Sequence, residues 1–216
     1  VDKTGLIQQI VESGKHYFLS RPRRFGKSLL LDTIKELFEG NEPLFQGLAI
    51  HDQWDWSVKY PVLRFSFGSG NFRQADYLPQ NLMAQLDRLE EQFQYRSGYT
   101  TCPERFQSLL LHAHKQTGLP VVVLIDEYDK PILDALEYPD IAKANRDFLR
   151  GFYGTIKDFD GHIRFSFLTG VSKFSKVSLF SGLNNLEDIT LIPRYSSLCG
   201  YTDEDIDTVF ARSEEH

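Results

Sequence analysis

The stretch Val121-Val122-Val123-Leu124-Ile125 is apolar at every position and stops abruptly at Asp126-Glu127. A strand with one wet face alternates apolar and polar residues, so this unbroken run predicts a strand covered on both faces. Gly118-Leu119-Pro120 marks its start. Further strand-like runs lie at Tyr17–Ser20, Val62–Phe67, Arg164–Thr169 and Ile189–Ile192. Helix-period segments separate them at Lys27–Glu39, Asp76–Tyr95, Pro103–Thr117 and Ala142–Lys157. In the first of these, Leu30, Ile34, Leu37 and Phe38 return at spacings of three and four, which is one face of a helix. A last helix is expected over Asp203–Phe210, with Thr202 as N-cap and Asp205 three residues on. Strands alternating with helices predict an α/β fold: a parallel sheet with helices on both faces.

A chain of 216 residues that is 41% hydrophobic and 25% charged fits one globular domain, residues 1–216, with a substantial core. The formal charge of −6 argues against a broad nucleic-acid-coating surface, although Arg21, Arg23 and Arg24 make a local basic site. Cys102 and Cys199 are too few for a disulfide framework and are expected to be reduced thiols in a cytoplasmic protein. No apolar run approaches the roughly 20 residues that span a bilayer, and the start lacks a signal-peptide pattern. The missing initiator Met and the charged end Arg212-Ser213-Glu214-Glu215-His216 lead us to expect a piece of a longer protein.

The stretch Tyr17-Phe18-Leu19-Ser20-Arg21-Pro22-Arg23-Arg24-Phe25-Gly26-Lys27-Ser28 joins a strand to a helix. A phosphate-binding loop needs that context, because the free N–H groups of a helix start point at the anion. Gly26 lets the backbone approach closely, Lys27 would reach the β- and γ-phosphates, and the Ser28 hydroxyl would hold Mg²⁺. Arg21 stands where the general P-loop pattern has its first glycine. The plainer reading is that Gly26 caps a turn and Lys27 sits in a solvated first turn. Four cations at a helix N-terminus oppose its dipole unless an anion sits there, which favours phosphate.

Asp126 and Glu127 end the buried strand, at the crevice where α/β sheets bind ligands. Asp126 would share the Mg²⁺ with Ser28, and Glu127 would act as general base toward water. Asp129, preceding Lys130-Pro131, is the better candidate for a helix cap. The guanine-reading Asn-Lys-x-Asp pattern is absent, so ATP is the expected nucleotide.

Here the chain resembles the predicted AAA-ATPase-like proteins of bacteria and some archaea, which often carry a C-terminal nuclease-like domain of the restriction-endonuclease type. The matching words are Val1-Asp2-Lys3-Thr4, Arg21–Ser28, Val123–Pro131, Phe167–Asn185 and Tyr195–Thr202. The resemblance implies that Arg21 is a family trait at the first glycine position. It also implies a P-loop NTPase of the additional-strand, catalytic-glutamate type, with strand order 5-1-4-3-2. Arg164–Thr169 would then lie between the phosphate-loop strand and the acidic strand, with Thr169 as a polar sensor beside the γ-phosphate. The candidate nucleotide-binding residues are Arg21, Pro22, Arg23, Arg24, Phe25, Gly26, Lys27, Ser28 and Leu29. The metal candidates are Ser28 and Asp126, and the catalytic candidates Glu127, Lys27 and Thr169.

The function expected from these residues is Mg²⁺-dependent ATP hydrolysis that drives a conformational change in an attached domain. A non-hydrolysing nucleotide switch remains open, as does a nucleic-acid- or protein-binding module built on the basic loop. An oligomer that completes its site between subunits would draw an arginine from Arg146, Arg150 or Arg194. Lys173 is a further phosphate candidate. His112 and His114 fall on different helix faces, against a metal site, and Trp54 and Trp56 are expected to be packing residues. Asp2-Lys3-Thr4 lies near the adenine only on the strength of the resemblance.

Overall fold

The computed structural model describes residues 1–210, so the expected end at Arg212–His216 lies outside the described residues. Five strands form one sheet: β1 (His16–Ser20), β2 (Val62–Ser66), β3 (Val121–Asp126), β4 (Ile163–Gly170) and β5 (Leu186–Asp188). The order across it is β2-β3-β4-β1-β5, which counted from the β5 edge is 5-1-4-3-2, and every neighbouring pair is parallel. β3 and β1, the two strands that carry the candidate residues, are buried along their whole length.

One face of the sheet packs on α3 (Tyr77–Gln92), α4 (Cys102–Thr117) and α6 (Pro139–Asp158) through Leu82, Leu86, Phe106, Leu109, Leu149 and Phe152. The other packs on α1 (Thr4–Ser13) and α2 (Lys27–Phe38) through Ile7, Ile10, Leu30, Ile34 and Phe38. Val123 and Ile125 belong to the first core and Val122 and Leu124 to the second, which is why the run had to be apolar throughout.

α1 is a helix that the periodicity reading did not include; it buries Ile7, Ile10 and Val11. The expected α3 over Asp76–Tyr95 starts one residue late because Asp76 sits in the left-handed region, at φ 61°. The fifth strand is displaced. It runs Leu186–Asp188 rather than Ile189–Ile192, because the Asp188 carboxylate accepts the Thr190 N–H in a tight turn, after which Ile192 bonds back to Ile189. Ile189 still donates one bond to Phe18, and Pro193 then opens a short 3₁₀ turn. The last expected helix splits into α8 (Asp203–Asp205) and a π turn at Ile206–Phe210, and Thr202 and Asp205 do form a reciprocal capping box. Two short helices complete the frame, α5 (Lys130–Leu133) and α7 (Phe174–Leu179). Among the described residues no helix is long and apolar enough to cross a membrane.

Candidate functional site

Parallel pairing puts the ends of β1, β4 and β3 side by side: Leu19 lies opposite Thr169, and Ile125 opposite Leu168. The loop after β1 and the carboxylates after β3 therefore meet at one sheet edge, with β4 between them.

The loop turns into α2 through two left-handed residues, Arg24 at φ 64° and Gly26 at φ 83°. Gly26 stands at the N-cap with no side-chain cap bond, so the first N–H groups of α2 are free of the usual capping oxygen. Such an end, facing exposed backbone, suits an anion. Pro22, Arg23, Arg24, Phe25, Ser28 and Leu29 are exposed, whereas Lys27 is only 4% exposed. The idea of a solvated Lys27 is thus overturned. Its ammonium turns back under the loop and donates to the carbonyls of Arg21 at 3.0 Å and Pro22 at 2.8 Å. Arg21 does not face the loop's open side. Its guanidinium bonds the carbonyls of Ser20 and Thr190 at 3.0 and 2.8 Å, and so braces the segment after β5 against the loop. The stretch 195–202 also backs the loop, with Gly200 in the left-handed region against the Phe25 ring.

The two halves of the site are joined by one contact: the Ser28 hydroxyl donates to Asp126 Oδ2 at 2.6 Å. The other carboxylate oxygen accepts the Thr169 hydroxyl at 2.7 Å, and that hydroxyl accepts the Glu127 N–H at 3.3 Å. Thr169 is fully buried, so its hydroxyl orients the two acidic residues instead of projecting beyond them. A hydroxyl beside a buried carboxylate is a hard-oxygen donor pair of the kind magnesium accepts when phosphates supply further oxygens. No cluster of three or more His, Cys, Asp or Glu side chains arranged for a metal exists among the described residues.

Glu127 adopts φ 53°, a left-handed backbone that a non-glycine residue holds only when its surroundings fix it. Burial and the neighbouring Asp126 charge raise its carboxyl above the usual range, partly offset by Lys27, Lys130 and Arg23. A carboxylate biased toward keeping a proton is a competent base.

Asp129 is not the helix cap that its position suggested, since its side chain makes no cap bond to α5. It is fully buried and reaches across to β4's exit, accepting the Ser172 N–H at 2.7 Å and the Val171 N–H at 3.3 Å. Tyr128 reinforces the same loop through its hydroxyl on the Ser172 carbonyl at 2.7 Å. Gly170 makes this crossing possible: a Cβ there would stand 2.4 Å from the Tyr128 ring and 2.9 Å from an Asp129 oxygen. Gly170→Ala is therefore expected to destabilise the fold by about 1–3 kcal/mol, the usual overpacking range. A thermal or urea melt of the variant checks it.

Arg64 carries no signal in the sequence, yet it belongs here. From β2 its guanidinium contacts Asp32 of α2 and stands 3.8 Å from Asp126 Oδ2. Other candidates lie elsewhere. Lys173 and Lys176 face Asp188, at 3.6 and 3.0 Å, instead of the loop. Arg146 and Arg150 share a cavity of about 520 Å³ with Ile132, Leu136 and Ser172, and Arg194 lies over the Tyr195 ring. Lys3 pairs with Asp205, and Asp2 holds the N–H groups of Thr4 and Ala49. His112 stacks on Tyr95, and Trp54 packs edge-on against Phe38.

A five-stranded parallel sheet between helical layers, with a left-handed glycine turn leading from strand to helix, fits a P-loop-like fold. The chain belongs to the family described as Predicted AAA-ATPase, whose model matches residues 1–180. It is also 58% identical over 211 residues to an Azotobacter chroococcum mcd 1 protein described as "Uncharacterized protein in vnfD 5'region". That match takes in 98% of this chain and 41% of the relative, so the chain spans well under half of the relative's length.

Proposed function

We propose that this chain is an ATP-hydrolysing P-loop module of the additional-strand, catalytic-glutamate type. The observation that carries the reading is the Ser28–Asp126 contact at 2.6 Å, which joins the helix start that suits phosphate to the strand end that bears two carboxylates. Family membership supports nucleotide binding independently of that contact.

In this reading the N–H groups from Gly26 to Leu29 grip the phosphates, helped by the flanking backbone of Arg21, Pro22, Arg23, Arg24 and Phe25. Lys27 exchanges its two carbonyl partners for phosphate oxygens, which is a short movement because both carbonyls belong to the loop itself. Ser28 and Asp126 would hold Mg²⁺, which neutralises charge on the β- and γ-phosphates when bound. Glu127 accepts the proton of the attacking water. Thr169 keeps Asp126 and Glu127 oriented through its one hydroxyl. Turnover is proposed to drive a conformational change in an attached domain; the greater length of the Azotobacter relative is compatible with such an attachment. A nuclease-like identity for that domain rests on the resemblance alone.

The test is calorimetric titration of ATP with Mg²⁺ into the wild type and Lys27→Ala. Loss of a charge-assisted contact to phosphate should weaken binding roughly 10- to 100-fold. Equal affinity in the two proteins would remove the loop from the reading.

A further inference from the structure

Arg64 presents a problem that the proposed function does not absorb. A divalent cation held at Ser28 and Asp126 would gain most from a carboxylate with no competing cation beside it. Arg64 Nη2 instead stands 3.8 Å from the same Asp126 oxygen that accepts the Ser28 hydroxyl. The position is built, not incidental. Val62, Arg64 and Ser66 share one face of β2, and the β2–β3 register sets Arg64 opposite Leu124 and Ser66 opposite Asp126. The side chain therefore rises toward Asp126 across the α2 side of the sheet. Asp32, one helical turn beyond Ser28, contacts its other terminal nitrogen. The Arg64 Nε is buried and has no hydrogen-bond partner among the described residues. A buried orphan donor costs stability.

We propose that Arg64 makes the cation site conditional on polyphosphate: it excludes a free divalent cation and admits one that arrives with a nucleotide. The physical basis is charge. Arg64 offsets the buried Asp126 carboxylate, and it repels a doubly charged ion directly. A triphosphate reverses that balance with several negative charges, and Asp32 gives the guanidinium a second carboxylate to rest on. The exclusion of the free cation does not require the ATPase reading; its relief by nucleotide does rest on it.

The experiment measures Mn²⁺ binding by electron paramagnetic resonance, without nucleotide, on the full chain. Wild type should bind free Mn²⁺ weakly. Arg64→Met, which keeps the apolar stem and removes the charge, should bind it at least about tenfold more tightly. Arg64→Lys should behave as wild type, and adding Asp126→Asn to Arg64→Met should abolish the gain. Arg64→Gln serves in place of Arg64→Met if the latter does not fold. The proposal is overturned if the neutral variant binds Mn²⁺ no more tightly than wild type. It is equally overturned if Arg64→Lys gains as much as Arg64→Met, or if the gain survives loss of Asp126. A second titration adds ATP. Relief of exclusion in wild type supports the whole proposal. A Mn²⁺ gain in Arg64→Met with no nucleotide binding by wild type keeps the exclusion and sinks the ATPase reading and the conditional half together.

Discussion

Glu127→Gln is expected to bind ATP with wild-type affinity and to hydrolyse it on the order of 10²–10⁴-fold more slowly, the usual effect of removing a general base. The amide keeps the size and planarity of the side chain, so the left-handed backbone at φ 53° and the N–H bond to Thr169 should survive. What disappears is the ability to take a proton from water. Burial and Asp126 already hold the Glu127 carboxyl above its ordinary range, which makes its conjugate base stronger than that of a solvated glutamate. Single-turnover formation of ADP in acid-quenched samples, with protein in excess over ATP, separates this chemical step from product departure. Equal rates in variant and wild type would move the base elsewhere. Asp129 is a poor substitute, because it is fully buried and both its oxygens accept backbone N–H groups from 171 and 172.

The strongest sequence signals were those with a local cause. The unbroken Val121–Ile125 run meets a core on each face, and nothing but a covered strand satisfies that pattern. The loop at Arg21–Ser28 was legible because a strand, a glycine and a Lys-Ser pair occur in one short stretch. What could not be read depends on partners that only the sheet order brings together. Arg64 interrupts an apolar strand with no motif around it; its partner Asp126 is adjacent only through the β2–β3 register. Asp129 has a helix-cap sequence context, yet β4's position beside β3 gives its carboxylate two better donors. Arg21 has the same history. Its place in the loop suggested phosphate, while the carbonyls of Ser20 and Thr190 claim its guanidinium. The fifth strand lies a few residues before the β-branched run Ile189–Ile192 because Asp188 makes a turn with Thr190. α1 escaped because polar Gln8 and Gln9 and the early Gly5 blur a stripe that rests on Ile7, Ile10 and Val11.

Arg23→Ala is expected to lower ATP turnover on the order of 10³-fold while leaving nucleotide binding much less changed. Positive charge delivered to the γ-phosphate in the transition state is worth roughly 10³–10⁵ in rate when an arginine supplies it. Two arginines that could fill that role are engaged elsewhere: Arg150 bonds the Ser178 carbonyl and Asp147, and Arg194 covers Tyr195. Arg21 and Arg64 are engaged on carbonyls and carboxylates. Arg23 is different. Its side chain is 64% exposed, it contacts Asp134 only loosely at 3.8 Å, and its charge is felt by the Glu127 carboxyl. Under the proposed function, this exposed loop guanidinium is the one we expect to meet the γ-phosphate. The low end of the range is expected because an exposed loop arginine must be ordered before it can act. Turnover should be measured for wild type and Arg23→Ala over a wide span of protein concentration. A concentration-independent rate that collapses in the variant places the arginine within one chain. A wild-type rate that climbs with concentration and ignores the Arg23 substitution would instead mean that a second copy supplies the charge, with the half-buried Arg146 the first residue to replace.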